Sequence, residues 1–508
     1  MFVRKNRNKS GTISVQVISK QNSGYKVIET VGTSRNLNEI EKFFIEARNK
    51  INFPPNQMQL FSTLSKTDLA IKNFVGNISN LQIRTIGPEI IFGTLFDRIG
   101  FNTINDRLFR HLVITRLAYP TSKLKTVDYL RRYRGIEIKV DAIYCFLDRL
   151  NEKYKETVER IAFEHTQRTL KNITVVFYDM TTLYFETEDE DDLRKIGFSK
   201  DGKFQCPQIM LGLLVGENGY PIGYDIFKGN TFEGHTLLPI LENIKRKYNF
   251  EQPIVVADAG LLSNDNLKNL ANKKYRFIIG ACLKNEADGI KREILKKAKG
   301  LSDGQTIALK KVDGNRLIIS YSDKRRKKDE YNRKKGIRKL QEKIKSGKLT
   351  KSSINNRGYN KFLELSGNVA ITINNEKIKS DASWDGLKGY ATNTSLTPQK
   401  IIENYRHLWQ IEKAFRISKT DLRIRPIFHY RRKRIESHIC ISFVAYTIFK
   451  ELECLLEKKL TGFSSKRAVE LTQTMYELEY QLPHSRKTEK TLLKIDVEQQ
   501  KLYDAIMK

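Results

Sequence analysis

Polar and apolar residues alternate up to about Ser34, in TISVQVIS and YKVIETVG on either side of Asn22-Ser23-Gly24. A two-residue period broken by a turn predicts a hairpin. The spacing from Asn36 to Ile51 then fits a helix, and Pro54 and Pro55 mark a linker. From Gly87 to about Thr169 apolar residues recur at helical steps, in PEIIFGTLFDRIG, INDRLFRHLVITRLAY, TSKLKTVDYLRRYRG and VDAIYCFLDRLNEKYKETVERIAFEH. Pro120, Ser122, Gly135 and Asp141 supply breaks and caps.

The period then changes. ITVVFYD (Ile173 to Asp179) and PIVVAD (Pro253 to Asp258) are apolar runs that each end in an acid. Between them, QIMLGLLV and GYPIGYDIF flank Glu217-Asn218-Gly219, a hairpin signal, and Thr236 caps a helix over LLPILENIKRKY. A helix from about Ser263 to Lys273 and the strand YRFIIGA follow. Buried strands ending in an acid set that acid at the rim of a sheet, where ligands bind.

From about Lys284 to Ser380 the pattern is that of an insertion, with a hairpin around Asp313-Gly314 and a strand in NVAITINN. Between them lies the basic stretch DKRRKKDEYNRKKGIRKLQEKIKSGKLTK, read as helical or partly disordered. Trp384-Asp385-Gly386 is the turn leading back. Over Thr397 to Lys419 the sequence predicts one helix capped by Thr397, with Pro398 in its first turn. On that helix Tyr405, Leu408, Glu412, Arg416 and Lys419 share a broad face. A basic run with Phe428, His429 and Tyr430 interleaved precedes HICISFVAYTIFKELECLL, which is apolar on most sides and predicts a core helix behind the site. The end, from about Pro483, reads as an exposed helical tail.

These segments divide the chain into a β-hairpin and helix module (1–53), a helical, DNA-binding region (54–169), a first core part (170–283), the insertion (284–380), a second core part (381–455) and a C-terminal helical tail (456–508). Within the second region, the basic helix Lys123 to Arg134 and the helix after Asp141 are candidates for a helix-turn-helix grip on DNA, against a solvated basic face.

Charge narrows the partners. The 508 residues include 91 Lys and Arg against 58 Asp and Glu, a formal net charge of +33. An excess of that size attracts polyanions, nucleic acid before an anionic membrane surface. The longest apolar run, Ile439 to Phe449, is too short to cross a bilayer, and the N-terminal residues lack the apolar stretch of a secretory signal. Five cysteines with no CxxC pair suit a reducing cytoplasm and argue against a disulfide framework or zinc ribbon.

Candidate chemistry rests on three carboxylates with different addresses: Asp179 and Asp258 on two strands and Glu412 on a helix. Phosphodiester hydrolysis or transfer needs two divalent ions about 4 Å apart on the attacking and leaving oxygens, and Mg²⁺ and Mn²⁺ prefer carboxylate ligands. One such acid alone is weak evidence, since a strand-terminal Asp often only starts a turn. The other polar groups have blander readings. The acidic run Glu186 to Asp192 is solvated, Asp225 and Asp265 are capping or surface residues, and His235 serves a local hydrogen bond. Trp409 is assigned to packing.

Taken together, FYDMTTLYFE around Asp179, VVADAGLLS around Asp258 and YRHLWQIEKAFRISK around Glu412 resemble the bacterial insertion-sequence transposases of the DDE class, in the subgroup with a Tyr-Arg-Glu-Lys signature. The resemblance covers roughly Ile173 to Ile448. Tyr405, Glu412 and Lys419 fall on the signature spacing, whereas Leu408 stands at its arginine, with Arg406 or Arg416 as substitutes. The resemblance implies an α/β fold with a ribonuclease H-like catalytic core and a mostly β insertion before the Glu helix, preceded by a mainly helical N-terminal region. It implies two Mg²⁺ or Mn²⁺ ions held by Asp179, Asp258 and Glu412, with Tyr405, Arg416 and Lys419 on DNA. It also implies cut-and-paste movement, binding of double-stranded DNA at terminal inverted repeats and target, a homodimer on two element ends, and a cytoplasmic, nucleoid-associated bacterial protein without a membrane segment. A ribonuclease H-like nuclease without strand transfer and a non-catalytic DNA-binding derivative are the alternatives.

Overall fold

The computed structural model describes residues 1–21, 24–52, 66–248, 252–261, 264–312, 314–347, 349, 353–355, 357–366, 370–459, 461–481 and 487–508. The expected linker prolines Pro54 and Pro55 lie outside these residues, as do Asn22, Ser23, Ser263 and Asp313. The chain divides into two compact units, Met1–Ser79 and Asn80–Lys508.

In the first unit, β1 (Phe2–Arg7), β2 (Ile13–Gln21) and β3 (Gly24–Ser34) form an antiparallel sheet, so the expected hairpin has a third strand before it. Helix α1 (Leu37–Asn52) covers it by packing Ile40 and Ala47 on Val15 and Val17, and α2 (Lys66–Gly76) follows.

The second unit opens with the short strand β4 (Ile83–Thr85) and the helices α3 (Thr94–Ile99), α4 (Arg107–Ala118), α5 (Lys123–Arg134), α6 (Val140–Arg149) and α7 (Lys155–Leu170). Helix α5 has the bounds its punctuation predicts. The Ser122 side chain accepts from the Lys125 amide, and Gly135, at φ 62°, supplies the left-handed residue that ends the helix.

The sheet that carries the acids begins with β5 (Val175–Tyr184), β6 (Gln208–Val215) and β7 (Pro221–Lys228). Asn218 and Gly219 turn the β6–β7 hairpin with positive φ of 58° and 77°. Next come α8 (Leu237–Tyr248), β8 (Ile254–Ala257), α9 (Asn264–Asn272) and β9 (Arg276–Ala281). The insertion contributes α10 (Asp288–Ala298), β10 (Thr306–Lys310), β11 (Arg316–Tyr321), α11 (Asp323–Lys345), β12 (Leu363–Ser366), β13 (Ala370–Ile373) and α12 (Asn375–Ala382). After β14 (Leu387–Thr392) come α13 (Pro398–Arg406), α14 (Trp409–Arg416) and the 27-residue α15 (Arg432–Lys458). The chain closes with α16 (Ser465–Thr472), β15 (Tyr476–Gln481), β16 (Thr488–Leu492) and α17 (Val497–Met507).

Eight strands form one mixed sheet in the order β10-β11-β14-β9-β8-β5-β6-β7, with β5, β8 and β9 parallel and the other pairs antiparallel. Alternation sends Val175, Phe177 and Val256 to one face, under α13, α14 and α15, and Val176, Tyr178 and Val255 to the other, under α8 and α9. Helices on both faces explain why these strands read as unbroken apolar runs. Helix α15 is buried from Ile435 to Leu456 on almost every side, the core helix its sequence predicts.

Three expectations are corrected. The insertion is not mostly β: α11 alone runs 23 residues, held by Glu330 between Arg326 and Lys334 one turn away on either side and by Leu340 packed with Phe362. Its strands β10 and β11 continue the main sheet. The C-terminal segment is not an exposed tail, because β15 pairs with β4 and α17 buries Leu502 and Ile506 in the main core. Finally, the expected single helix from Thr397 to Lys419 is broken by a turn at His407 and Leu408.

Candidate active site

Asp179 does not end its strand. It is the fifth residue of β5, which continues to Tyr184 because β6 still pairs with it there, through Tyr184 opposite Gln208. The parallel partner β8 stops earlier, at Ala257 opposite Tyr178. Asp179 and Asp258 are therefore the next residues after a matched pair, on strands about 4.8 Å apart. Asp179 shares the face of Phe177, under α13 and α14.

The two acids differ in their surroundings. The Asp179 side chain is half-buried, accepts from its neighbour's amide (Met180 N, 2.7 Å) and lies 3.7 Å from the Lys200 ammonium. Lys200 also pairs with Glu233 at 2.9 Å. Burial raises the Asp179 pKa, and the charges of Glu233 and Asp258 add to the rise against the pull of Lys200. Asp258 is exposed and accepts from the Tyr405 hydroxyl at 2.8 Å. Tyr405, itself buried, is brought there by α13, whose start is fixed by Thr397 accepting from the Lys400 amide with Pro398 behind it.

The turn after α13 separates the residues expected on one face. Leu408 is buried, while Glu412 and Arg416 are exposed on α14. Glu412 makes no hydrogen bond or ion pair with another described residue, yet its charge acts on both Tyr405 and Lys388. Lys419 is engaged by Asp201 at 3.0 Å, which Arg425 also contacts at 2.5 Å. The same turn sends Trp409 outward, 53% exposed beneath the Lys413 ammonium, so it does not pack as expected. Among the described residues no three His, Cys, Asp or Glu side chains stand close enough together to hold a metal ion. Asp179 and Asp258 are thus neighbours in register, and the unpaired Glu412 does not complete a three-carboxylate cluster with them.

Lys200, Glu233 and Lys388 are site neighbours that the sequence did not single out. Lys388, on β14, sits with its ammonium 4.4 Å from the Tyr405 ring centroid. Burial lowers its pKa, and Asp258 and Glu412 oppose that. It was legible only as one polar residue in an apolar strand. Lys200 lies in the β5–β6 loop, where no periodicity marks it. Two other expectations change: Asp191 in the acidic run is not merely solvated but binds the buried Arg194, and Asp225 is no cap or surface residue but half-buried on β7, where Asn243 donates to it. The turn at Trp384-Asp385-Gly386 gives Asp385 two bonds from Arg333 at 2.5 Å.

A cleft of about 740 Å³ opens beside Asp258, Tyr405 and Lys388. Its far wall is α11 of the insertion, through Arg325, Asn332 and Arg333. The opening carries Asp258 and Lys388 on one side and, on the other, Arg325 and Arg333 with their carboxylate partners Asp329 and Asp385.

The transposase DDE domain family matches residues 170–448, more than half of the chain and the whole span of the sheet and its acids. The chain belongs to the DDE transposases. It is a DNA transposase, a nucleotidyl-transferring enzyme of a family that generally uses divalent metal ions. Solved structures overlap this transposase only in part. A piggyBac transposase synaptic complex with hairpin DNA shares 12% identity over 76% of each chain, at a TM-score of 0.39. A Mos1 transposase paired-end complex with the left transposon end shares 12% identity over 33% of this chain and 56% of its own, at 0.16. A Mos1 mariner paired-end complex with Mn shares 15% identity over 31% and 54%, at 0.15. No curated protein matches the chain. Among the described residues no helix is long and apolar enough to cross a membrane.

Proposed function

We propose that this transposase is a bacterial insertion-sequence enzyme of the Tyr-Arg-Glu-Lys subgroup, which cleaves the ends of its element and joins them to target DNA by cut and paste. The observation that carries the reading is the register of β5 and β8, which sets Asp179 and Asp258 side by side, with the Tyr405 hydroxyl on Asp258. The order β7-β6-β5-β8-β9, antiparallel up to β5 and parallel after it, supports a ribonuclease H-like core.

The donor set fits a hard divalent ion, since Asp179 is a half-buried carboxylate with a single lysine 3.7 Å away and Asp258 and Glu412, although the Lys388 charge reaches both, form no ion pair among the described residues. With Glu412 closing on the pair, Asp179, Asp258 and Glu412 would hold two such ions, Mg²⁺ or Mn²⁺, which would supply charge stabilisation to the phosphodiester oxygens. Tyr405 orients the Asp258 carboxylate by donating to it, a support for the acid as well as a wall for DNA. Arg416, exposed on the helix of Glu412, contacts a phosphate in place of the arginine replaced by Leu408. Lys419 contacts a second phosphate after exchanging Asp201 for it. Lys388 and the α11 arginines track the strand across the cleft.

In the same reading the 54–169 helices bind the terminal inverted repeats, the 284–380 insertion closes over the 170–283 and 381–455 core parts, and two copies assemble on two element ends in the bacterial cytoplasm, at the nucleoid. The test is cleavage and strand transfer with Mg²⁺ on duplexes carrying the element's own terminal repeats, for wild type, Asp179→Asn, Asp258→Asn and Glu412→Gln. Wild type cuts and joins, and each variant binds DNA but does neither. Cutting without joining would point to a nuclease. Activity that survives all three substitutions would remove these acids from the site.

A further inference from the structure

Outside the cleft, four nitrogen-bearing side chains are buried together where α4 and α5 meet α15 and the segment before it. Lys123 is 5% exposed, Arg116 5%, His429 8% and His438 6%. They line a pocket of about 310 Å³ that also takes in the exposed Arg423 and contains no Asp or Glu. The groups do not share the same state. Arg116 donates to the carbonyls of Leu422 and Arg423, at 3.4 and 3.3 Å, and so is spent on the backbone. The His438 Nε2 faces the Ile424 carbonyl at 2.9 Å, while its buried Nδ1 has no partner. Lys123 makes no hydrogen bond or ion pair with any described residue. Asp148, the carboxylate whose charge reaches His429, is held by both arms of the Arg434 guanidinium at 2.8 Å.

A buried ammonium with no counter-ion is costly, so the pocket by itself disfavours the charged form, an anion beside Lys123 would favour it again, and no described residue supplies that anion. Burial, with Arg116 beside it, drives the Lys123 pKa well down. Burial and the cations of Lys123 and Arg434 hold His429 down to about 3. Lys123 is also the first residue of α5, a 12-residue helix, so the positive end of the helix dipole adds to the same point. Phe428, 58% exposed, stands in the lining beside the pocket.

We propose that this pocket binds one phosphate of the DNA backbone, held by Lys123 and the first turn of α5, with Arg423 on its exposed side. The phosphate's source rests on the transposase reading, and the anion chemistry does not. Arg425 joins the pocket to the catalytic rim, because it lines the one and pairs with Asp201, the partner of Lys419. A strand seated here is therefore linked, through Arg425 and Asp201, to Lys419, the cation assigned to the second phosphate.

The test uses the full chain as wild type, Lys123→Met and Arg423→Gln. Methionine keeps the length of the side chain without its charge, so Lys123→Met melts in sodium chloride no lower than wild type. Replacing chloride by inorganic phosphate at equal ionic strength raises the wild-type melting temperature more than that of Lys123→Met, whose rise is only the general effect of an excluded salt, with an intermediate rise for Arg423→Gln. On a random-sequence duplex, the log–log salt dependence of binding becomes shallower by about 0.9 in Lys123→Met, the share of one phosphate. Equal phosphate stabilisation of wild type and Lys123→Met would overturn the pocket. A smaller phosphate response in Lys123→Met with an unchanged salt slope would overturn DNA as the source. If neither protein binds duplex DNA, the DNA reading itself fails, and the melting arm still decides whether an anion sits here.

Discussion

The carboxylates behind the sheet and those at its rim are treated in opposite ways. On α15, Glu436 is bonded by Lys155 and Asn151, Glu451 by His165 and the Tyr220 hydroxyl, and Glu453 by Lys413 and Lys450. Despite burial, the Lys155 bond leads a set that brings Glu436 down to about 2. At the rim, burial raises the pKa of Asp179, which has a lysine 3.7 Å away, and among the described residues Asp258 is bonded by a tyrosine hydroxyl and Glu412 by none. The supporting acids are thus closely paired and the three acids of the proposed site only loosely so, which is the contrast the proposed cation site requires.

The sharpest way to break the contrast is at the rim. Asp179→Asn, Asp258→Asn and Glu412→Gln each lower cleavage by more than about 100-fold, since losing even an outer partner of a metal site costs about 10–100-fold. Stability moves the other way for Asp179→Asn. A carboxyl whose folded pKa is raised opposes folding once pH exceeds that value, so the neutral variant unfolds in urea no earlier than wild type at pH 7. A clear loss of stability there would mean Asp179 is a packing residue. Tyr405→Phe, which leaves the Asp258 carboxylate unsteadied, lowers cleavage by about 10–100-fold with folding retained. Cleavage equal to wild type would confine Tyr405 to the core.

The supporting acids answer in stability. Glu436→Gln costs on the order of 2 kcal/mol in urea unfolding at pH 7, with cleavage by the folded fraction unchanged. The sign follows from a pKa lowered from 4.5 to about 2: the contribution is whole above pH 4.5 and is lost as pH falls through about 2. The gap between variant and wild type therefore narrows from pH 4.5 downwards. A gap that is constant with pH would assign the loss to packing. Thr397→Ala, which removes the cap that starts α13, costs about 1 kcal/mol and weakens cleavage only slightly.

Much of this contrast was readable in the chain because local chemistry decides it. Ser122 and Gly135 bound α5, Asn218-Gly219 turn a hairpin, and Thr397-Pro398 start α13, each by a side chain or a φ that acts within a few residues. Asp179 and Asp258 stood out as candidates for a similar reason, since each follows an unbroken apolar run, although Asp179 proves to lie inside its strand. What stayed hidden depends on distant partners. The Tyr405–Asp258 bond spans 147 positions, the extension of β5 past Asp179 depends on β6, and the ordering of the C-terminal residues depends on β4. The break after Arg406 was hidden as well, because His407 and Leu408 carry no helix-breaking signal and their turn is set by how α14 packs. Lys123 read as one of several surface cations on a basic helix, and only the tertiary fold buries it.

The most direct measurement is calorimetric titration of Mn²⁺ into the full-length transposase and into Asp179→Asn, Asp258→Asn and Glu412→Gln. Wild type binds with an affinity that falls as pH is lowered toward the raised pKa of Asp179, because a proton competes for that carboxylate. Each variant binds at least about 10-fold more weakly. Binding of equal strength in wild type and all three variants would contradict the account, and the cation would have to be sought elsewhere in the chain.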